Sequence, residues 1–404
     1  MSATSQHRTW QDQSRQEPAR KDHTRTHRSW RTTIAIAGAA TVASGLAIVP
    51  PGVAAAHELG EAQGVAITQT NLISDQVGKA PLVDPSLINP WGMSFGTDTM
   101  ATPLWVSDNG ADVATLYRGA TTPPSLAKVP LTVAIPGGEP TGQVFNPSAT
   151  EFTVKNGDAT GAAKFIFASE AGWITGWNPN VPAAGSTMAQ PAAHVADAVF
   201  KGLALASANG ADYLFAADFH NNKIQVFDTS FALQNWKDAF RDSRIPDGYA
   251  PFNIQLLNGS LYVTYAKQDA DRHDDVAGSG HGFVDVYTTT GVLEQRLLKR
   301  GALNSPWGLA IAPSSWGHLA GMLLVGNFGD GRIHAYDPMT GKALGAIVDS
   351  TGHAVVIDGL WGLMPGNGVA GTADQVIFSA GPDHEAHGLV GILTATVRSD
   401  HNNG

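Results

Sequence analysis

Two runs rich in acid and histidine stand apart in this chain. One is "KQDADRHDDVAGSGHG" (267–282), with Asp269, Asp271, His273, Asp274, Asp275 and His281. The other is "GPDHEAHG" (381–388), with Asp383, His384, Glu385 and His387. Oxygen-rich acidic clusters suit Ca²⁺ or Mg²⁺, whereas imidazole mixed with carboxylate suits Zn²⁺, Mn²⁺ or Fe²⁺. A divalent metal here (Ca, Zn or Mn) would draw on Asp269, His273, His281, Asp383 and His384. The alternative is a pair of solvated acidic loops, because neither spacing is that of an EF-hand loop or an HExxH helix. Crowded carboxylates also raise one another's pKa, as a general acid requires. Paired acids over a sugar site would permit glycoside chemistry.

Other chemistries are absent from the sequence. The chain has no cysteine, which excludes thiol catalysis, Cys-ligated zinc and a disulfide scaffold. The one G-x-S-x-G string, "GMSFG" (92–96), continues a repeated strand phrase and is not the strand-to-helix turn of a nucleophile elbow. The glycine-rich "GSGHG" (278–282) lacks a phosphate-binding lysine and reads as loop.

For two loops about a hundred residues apart to act together, the fold must bring them to one place. Internal repetition supplies the means. The phrases "NPWGMSF" (Gly92), "FKGLALA" (Gly202), "APFNIQLL" (Asn253), "SPWGLAI" (Gly308) and "LWGLMPG" (Gly362) recur, the last four at intervals of 51, 55 and 54 residues. The 110 residues between Gly92 and Gly202 leave room for two units, and "QVFNPSATEF" (143–152) is placed between them. A second apolar run follows each phrase, such as "LWVSDNG", "YLFAADFHN" or "MLLVGNFGD". A third follows that, such as "KIQVFDT" or "RIHAYDP". The runs are short, alternating, rich in β-branched and aromatic residues, and bounded by Gly, Asn, Asp and Pro, which is the signature of strands. "SFALQNWKDAFRD" (230–242) is the best candidate for a short helix or a turn.

Three clear strands and a weaker fourth in each of six units predict an all-β, six-bladed β-propeller. The last unit ends at "GLVGILTATV" without an outer strand, while "GVAITQTNLIS" (64–74) is a strand without a unit. The second is expected to complete the first and so close the ring without an open edge.

The first 56 residues read differently. A basic segment precedes an apolar stretch ending in Pro-Pro and Ala54-Ala55-Ala56, the pattern of a cleaved secretory signal. The expected organisation is a leader over 1–56, a closing strand and linker over 57–80, the propeller over 81–398 and a tail over 399–404. The leader carries seven basic and three acidic residues, so the −10 of the whole chain becomes −14 without it. That acidity argues against nucleic acid and anionic membrane as partners. A small molecule, a glycan or a protein is expected instead, with a monomeric, extracytoplasmic chain and no stable membrane insertion.

The strings "DFHNNKIQVFD" (218–228) and "GNFGDGRIHAYDPMTG" (326–341) resemble the NHL-type repeat. The longer run from "NLISDQVGKAPLVDPSLINPWGMSF", with "SPWGLAIAP" and "DGLWGLMPG", resembles an exported bacterial family of conserved-hypothetical proteins. That resemblance implies a fold but no reaction. A fainter likeness to gluconolactonase and senescence-marker propellers implies a divalent metal at the central mouth, yet their Glu-Gly-Pro and Asn-Gly metal motifs are not plainly present.

In an up-and-down blade, the loop before the first strand and the loop after the second share one face. That gives a mouth ringed by Asn89, Trp91, Asn146, Lys201, Asn253, Asn304, Trp307, Asp358 and Trp361 from the first loops. The second loops add Asp108, Asn109, Glu170, Asp218, His220, Asp269, Asn327, Asp383 and His384. Amides and carboxylates can pair with hydroxyls, and indole faces suit sugar rings. Taken singly, such residues also cap strand ends and tighten turns. The tryptophans could equally pack as wedges between blades. The expectation is a binding or interaction module with a polar and aromatic central mouth. A metal-assisted hydrolase, lactonase-like or glycan-acting, is the alternative at the same mouth.

Overall fold

The computed structural model describes residues 64–96, 102–119, 126–368 and 371–397. The expected leader and C-terminal tail lie outside the described residues. The chain forms six antiparallel sheets arranged as a six-bladed β-propeller. The innermost strands are Pro90–Ser94, Pro140–Phe145, Phe200–Ala208, Tyr249–Leu257, Pro306–Ile311 and Leu360–Pro365, and they define blades 1 to 6. Blades 1 to 5 each add three further strands in chain order. Blade 2 also carries a hairpin, Thr153–Asn156 with Ala159–Ala162, between its first two strands.

Blade 6 is built from both ends of the described chain. Val65–Ser74 pairs antiparallel with Leu389–Val397, in register from Val65 opposite Val397 to Ser74 opposite Leu389. A bulge between Asn71 and Ile73 interrupts the ladder, and Leu82–Val83 adds a parallel fifth strand outside it. The closing strand is therefore the one the sequence predicts. It covers the edge that blade 6 would otherwise expose, and its Ile67, Leu72 and Ile73 are buried.

Strand periodicity explains the core. Successive side chains point to opposite faces of a sheet, so each blade feeds two junctions. Leu261 and Val263 pack toward blade 3, whereas Tyr262 between them packs toward blade 5. Six apolar clusters fill the six junctions between blades. A seventh lies on the axis.

The repeated glycine has a steric reason. A Cβ on Gly92 would lie 2.5 Å from the Thr141 carbonyl oxygen of blade 2, and one on Gly142 would lie 2.2 Å from the Leu203 nitrogen of blade 3. Gly202, Gly308 and Gly362 meet the next inner strand in the same way, and Gly362 closes the circle against Trp91. Blade 4 departs from the rule. Its Asn253 instead donates from Nδ2 to the Trp307 carbonyl oxygen at 2.8 Å.

One expectation needs correction. The blade 2 repeat position is Gly142, within Pro140–Phe145, so the alignment on residues 143–152 runs late. Asn146 consequently follows the inner strand and sits at the opposite face. There it donates to the carbonyl oxygens of Glu151 and Ala163. Residues 230–242, expected as a short helix or a turn, take the turn alternative, with a two-residue strand at Leu233–Gln234. Phe231, Asp238 and Phe240 adopt positive φ there, which breaks any helical run while burying the two phenylalanines.

Candidate functional site

The residues leading into the inner strands and the loops after the second strands do share one face. Asn89 shows how. Its backbone sits at φ 47, in the left-handed region that Asn tolerates better than most residues. Its Nδ2 donates to Asn109 Oδ1 at 3.1 Å and to Glu385 Oε2 at 2.8 Å, while its Oδ1 accepts from Trp361 Nε1 at 2.9 Å. Asn109 Nδ2 passes the network on to Glu170 Oε2 at 3.0 Å. The other oxygen of Glu170 pairs with the ammonium of Lys201. Lys201 Nζ lies 3.4 Å from Asp274 Oδ1, which is 2.9 Å from His273 Nδ1. One polar crown thus runs through blades 6, 1, 2, 3 and 4.

Beneath it lies an aromatic plug. Trp91, Trp307 and Trp361, one from each Trp-Gly phrase, meet on the axis with Phe219, Phe252 and Phe328. Trp91 stacks on Trp361 at 3.5 Å between centroids, and Phe328 stacks on Trp361 at 3.9 Å. Trp307 meets both tryptophans edge-on, at 6.1 and 5.9 Å. The three indoles are only 1–5 % exposed. Of the two alternatives for these tryptophans, the structure places them at the axis and not between blades, yet it spends their faces on one another. Lys201 Nζ sits 5.2 Å from the Trp91 ring centroid, within cation–π range.

Charge in the crown is tightly compensated. The Lys201 and Glu170 side chains are buried. Burial alone would lower the Lys201 pKa, but Glu170 and Asp274 outweigh it and hold the ammonium above its ordinary value. The hydrogen bond from His273 holds Asp274 well below the usual carboxylate range, and Asp274 in turn raises His273. Burial pushes Asp275 up to about 6. His273 and Asp274 are the solvent-facing members, with side chains 39 and 63 % exposed.

The remaining expected residues divide by position. Asp108, Asp218 and Asn327 end their second strands and turn away from the axis. Asp108 is fully buried, and burial pushes its carboxyl well above the usual range. Asp218 accepts from Asn221 and Gln225. Asn327 holds the Ala302 carbonyl oxygen and the Asn304 amide. Asn304 Oδ1 accepts from the Gly278 amide and so anchors the blade 4 insert. His220 is half-buried. The axis-facing residue is the next one along: Asn109, Glu170, Phe219 and Phe328.

The expected metal ligands do not converge as a set. His273 joins Asp274 and Glu170, whose ligand atoms all lie within 4.8 Å of one another. Asp269 accepts from the His273 amide, and His281 is 2.7 Å from the Val276 carbonyl oxygen. Asp383 donates its amide to Asp358 Oδ2, and its side chain and His384 are exposed. Asp383, His384 and Glu385 all have positive φ, at 56°, 56° and 67°. Three such residues in succession cost roughly 1–2 kcal/mol each. The turn they make delivers Glu385 to Asn89. Sequence reading passed over the plug phenylalanines, although "DF" (218–219) and "NF" (327–328) stand in the register of "DN" (108–109).

No family model matches the sequence. Protein R648 of Acanthamoeba polyphaga mimivirus is 33 % identical over 335 residues, spanning 80 % of this chain and 78 % of the relative. Protein L690 of the same virus is 32 % identical over 356 residues, spanning 83 % of this chain and 88 % of the relative. The chain belongs to the family of these two proteins. Both family members are described only as uncharacterised, and both are viral, so the bacterial provenance expected from the resemblance gains no support from them. Among solved structures, an α-L-arabinofuranosidase from Fusarium graminearum aligns with a TM-score of 0.49 at 9 % identity, over 82 % of this chain and 98 % of that one. Virginiamycin B lyase from Staphylococcus aureus aligns with a TM-score of 0.43 at 11 % identity, over 82 and 99 %. These likenesses are of fold.

Proposed function

We propose that the protein is an exported binding module that holds a polar small ligand or glycan at the crown. The observation that carries this reading is the hydrogen-bonded path from Glu385 through Asn89, Asn109 and Glu170 to Lys201 and Asp274. Such a path fixes its donors and acceptors before any ligand arrives, which lowers the ordering cost of binding. The plug gives it a rigid floor. His273 and Asp274 at the rim offer the exposed polar contacts, and the buried Lys201 and Glu170 hold them in place. The export half of the proposal rests on the leader-like residues 1–56. Among the described residues, no helix is long and apolar enough to cross a membrane.

A second reading, the metal-assisted hydrolase, is favoured by one observation, the closeness of Glu170, His273 and Asp274. It faces an electrostatic obstacle. The Lys201 ammonium already neutralises Glu170 and lies against Asp274, so a dication would have to displace it or share its ligands. Thermal denaturation of the purified chain separates the two readings. The binding module predicts that a neutral glycan or polar amine from a screening panel raises the melting temperature. Asp274→Asn should abolish that rise. A stoichiometric ion that survives dialysis, whose chelation lowers the melting temperature, would favour the hydrolase. A chain responding to no glycan, amine or ion would overturn both. Intact mass of protein recovered outside the cell should begin at His57 if the leader is cleaved as proposed.

A further inference from the structure

Below the aromatic plug the ring is hollow. A cavity of about 370 Å³ occupies the axis on the side away from the crown. Its walls come from the later residues of inner strands, among them Phe95, Phe145, Leu205, Leu256 and Met364, and Trp307 stands at its inner end. Six inner strands cannot close on the axis by themselves, because their separation is fixed by the glycine contacts around the ring. At the crown end the gap is filled by six aromatic side chains. At the other end it is left unfilled.

The chemistry of the lining is selective. No charged side chain contributes to it. Most of its polar groups are already committed. Gln143 Nε2 donates to the carbonyl oxygens of Gly92 and Trp105, and its Oε1 accepts from Ser94. Asn253 is occupied by Trp307 and by its neighbour Ile254, and Trp307 Nε1 donates to the Lys201 carbonyl oxygen. Gln255 is the lining amide with no side-chain partner among the described residues. Leu256 beside it is 41 % exposed at the rim. The volume falls in the lower part of the range for small-molecule sites, roughly 300–1,000 Å³.

We propose that this lower channel binds an uncharged, largely apolar small molecule carrying one hydrogen-bonding group, which meets Gln255. An ion or a sugar is disfavoured there, because its polar groups would lose water and find partners already taken. The site is separate from the crown and does not depend on how the crown is used.

The test uses the full chain and the neutral fluorophore N-phenyl-1-naphthylamine. Saturable fluorescence enhancement with one dye per chain is expected. Leu205→Trp fills the cavity and should weaken binding by about tenfold or more, with the wild-type unfolding midpoint retained. Where Leu205→Trp shifts that midpoint, Leu256→Asp decides instead, since it places a charge on a residue already partly exposed. Absence of dye binding by the folded protein overturns the proposal. So does unchanged binding in the deciding variant, which would place the dye elsewhere on the molecule.

Discussion

Asp285 shows how much one residue can set. It lies in the third strand of blade 4, fully buried, where burial and the nearby Asp242 push its pKa up to about 7. Tyr287 donates to it at 3.2 Å, while Arg296 hydrogen-bonds to Asp242 at 2.8 Å. The folded state therefore keeps a proton that the unfolded chain releases near 3.8. This contribution to stability is full below that lower value and is lost as pH rises toward 7. Asp285→Asn should flatten the pH dependence of the unfolding free energy between about 4 and 7. It should also leave the protein as stable as wild type, or more so, at neutral pH, since Arg296 retains Asp242. Urea unfolding across that pH range measures both, and an unchanged slope would mean that Asp285 is ionised in the fold. At the crown, Lys201→Met should destabilise by about 3–5 kcal/mol, because it leaves buried Glu170 without its counter-ion. Added Glu170→Gln should recover part of that loss.

At the scale of elements, the inner strands and the closing strand carry the argument. Gly142→Ala pushes a methyl group onto the Leu203 backbone. Overpacking against backbone that cannot yield should cost about 1–3 kcal/mol or more, read from the denaturant midpoint. Besides the small Ala66, the closing strand Val65–Ser74 buries four larger apolar side chains, Val65, Ile67, Leu72 and Ile73. At about 1.5–3 kcal/mol apiece, their loss would remove on the order of 6–12 kcal/mol of burial. A chain beginning after Ser74 should melt earlier and associate as its concentration rises, because Leu389–Val397 becomes a bare edge. Size-exclusion chromatography over a dilution series tests this. A monomer of unchanged stability would show that the strand is dispensable.

Across the whole molecule, the plug divides the axis into two ends of different character. The crown is acidic and internally hydrogen-bonded, whereas the lower channel is apolar and uncharged. Six aromatic side chains separate them, and across that layer Trp307, at the inner end of the channel, donates to the Lys201 carbonyl oxygen. Substitutions at distant, independent sites add to within about 0.5 kcal/mol. Asp274→Asn and Leu205→Trp should therefore be additive in unfolding free energy. A larger coupling would mean that the plug shifts between arrangements and links the two ends.

Blade number, strand period, the glycine of most inner strands and the closing role of the N-terminal strand are written locally. Alternation repeats every two residues, and the phrase containing Gly92, Gly308 or Gly362 can be matched by eye. The blade 2 phrase "PTGQVF" lacks the tryptophan that marks blades 1, 5 and 6, and it differs from the blade 3 and 4 phrases too, so matching along the chain does not find its glycine. The crown was only half legible. Asn89, Asn109, Lys201 and His273 could be named from loop position. Yet no sequence pattern says that Asp108 turns inward to the sheet while Asn109 turns to the axis, or that Phe219 and not Asp218 does so. Nor could the sequence show that Lys201 stands between Glu170 and Asp274, or that the indoles of Trp91 and Trp361 cover each other. The sequence by itself determined the sheets and their order, because those follow from neighbours along the chain. Only the tertiary structure decided which side chains meet at the axis, because ring closure sets those distances between residues tens to hundreds of positions apart.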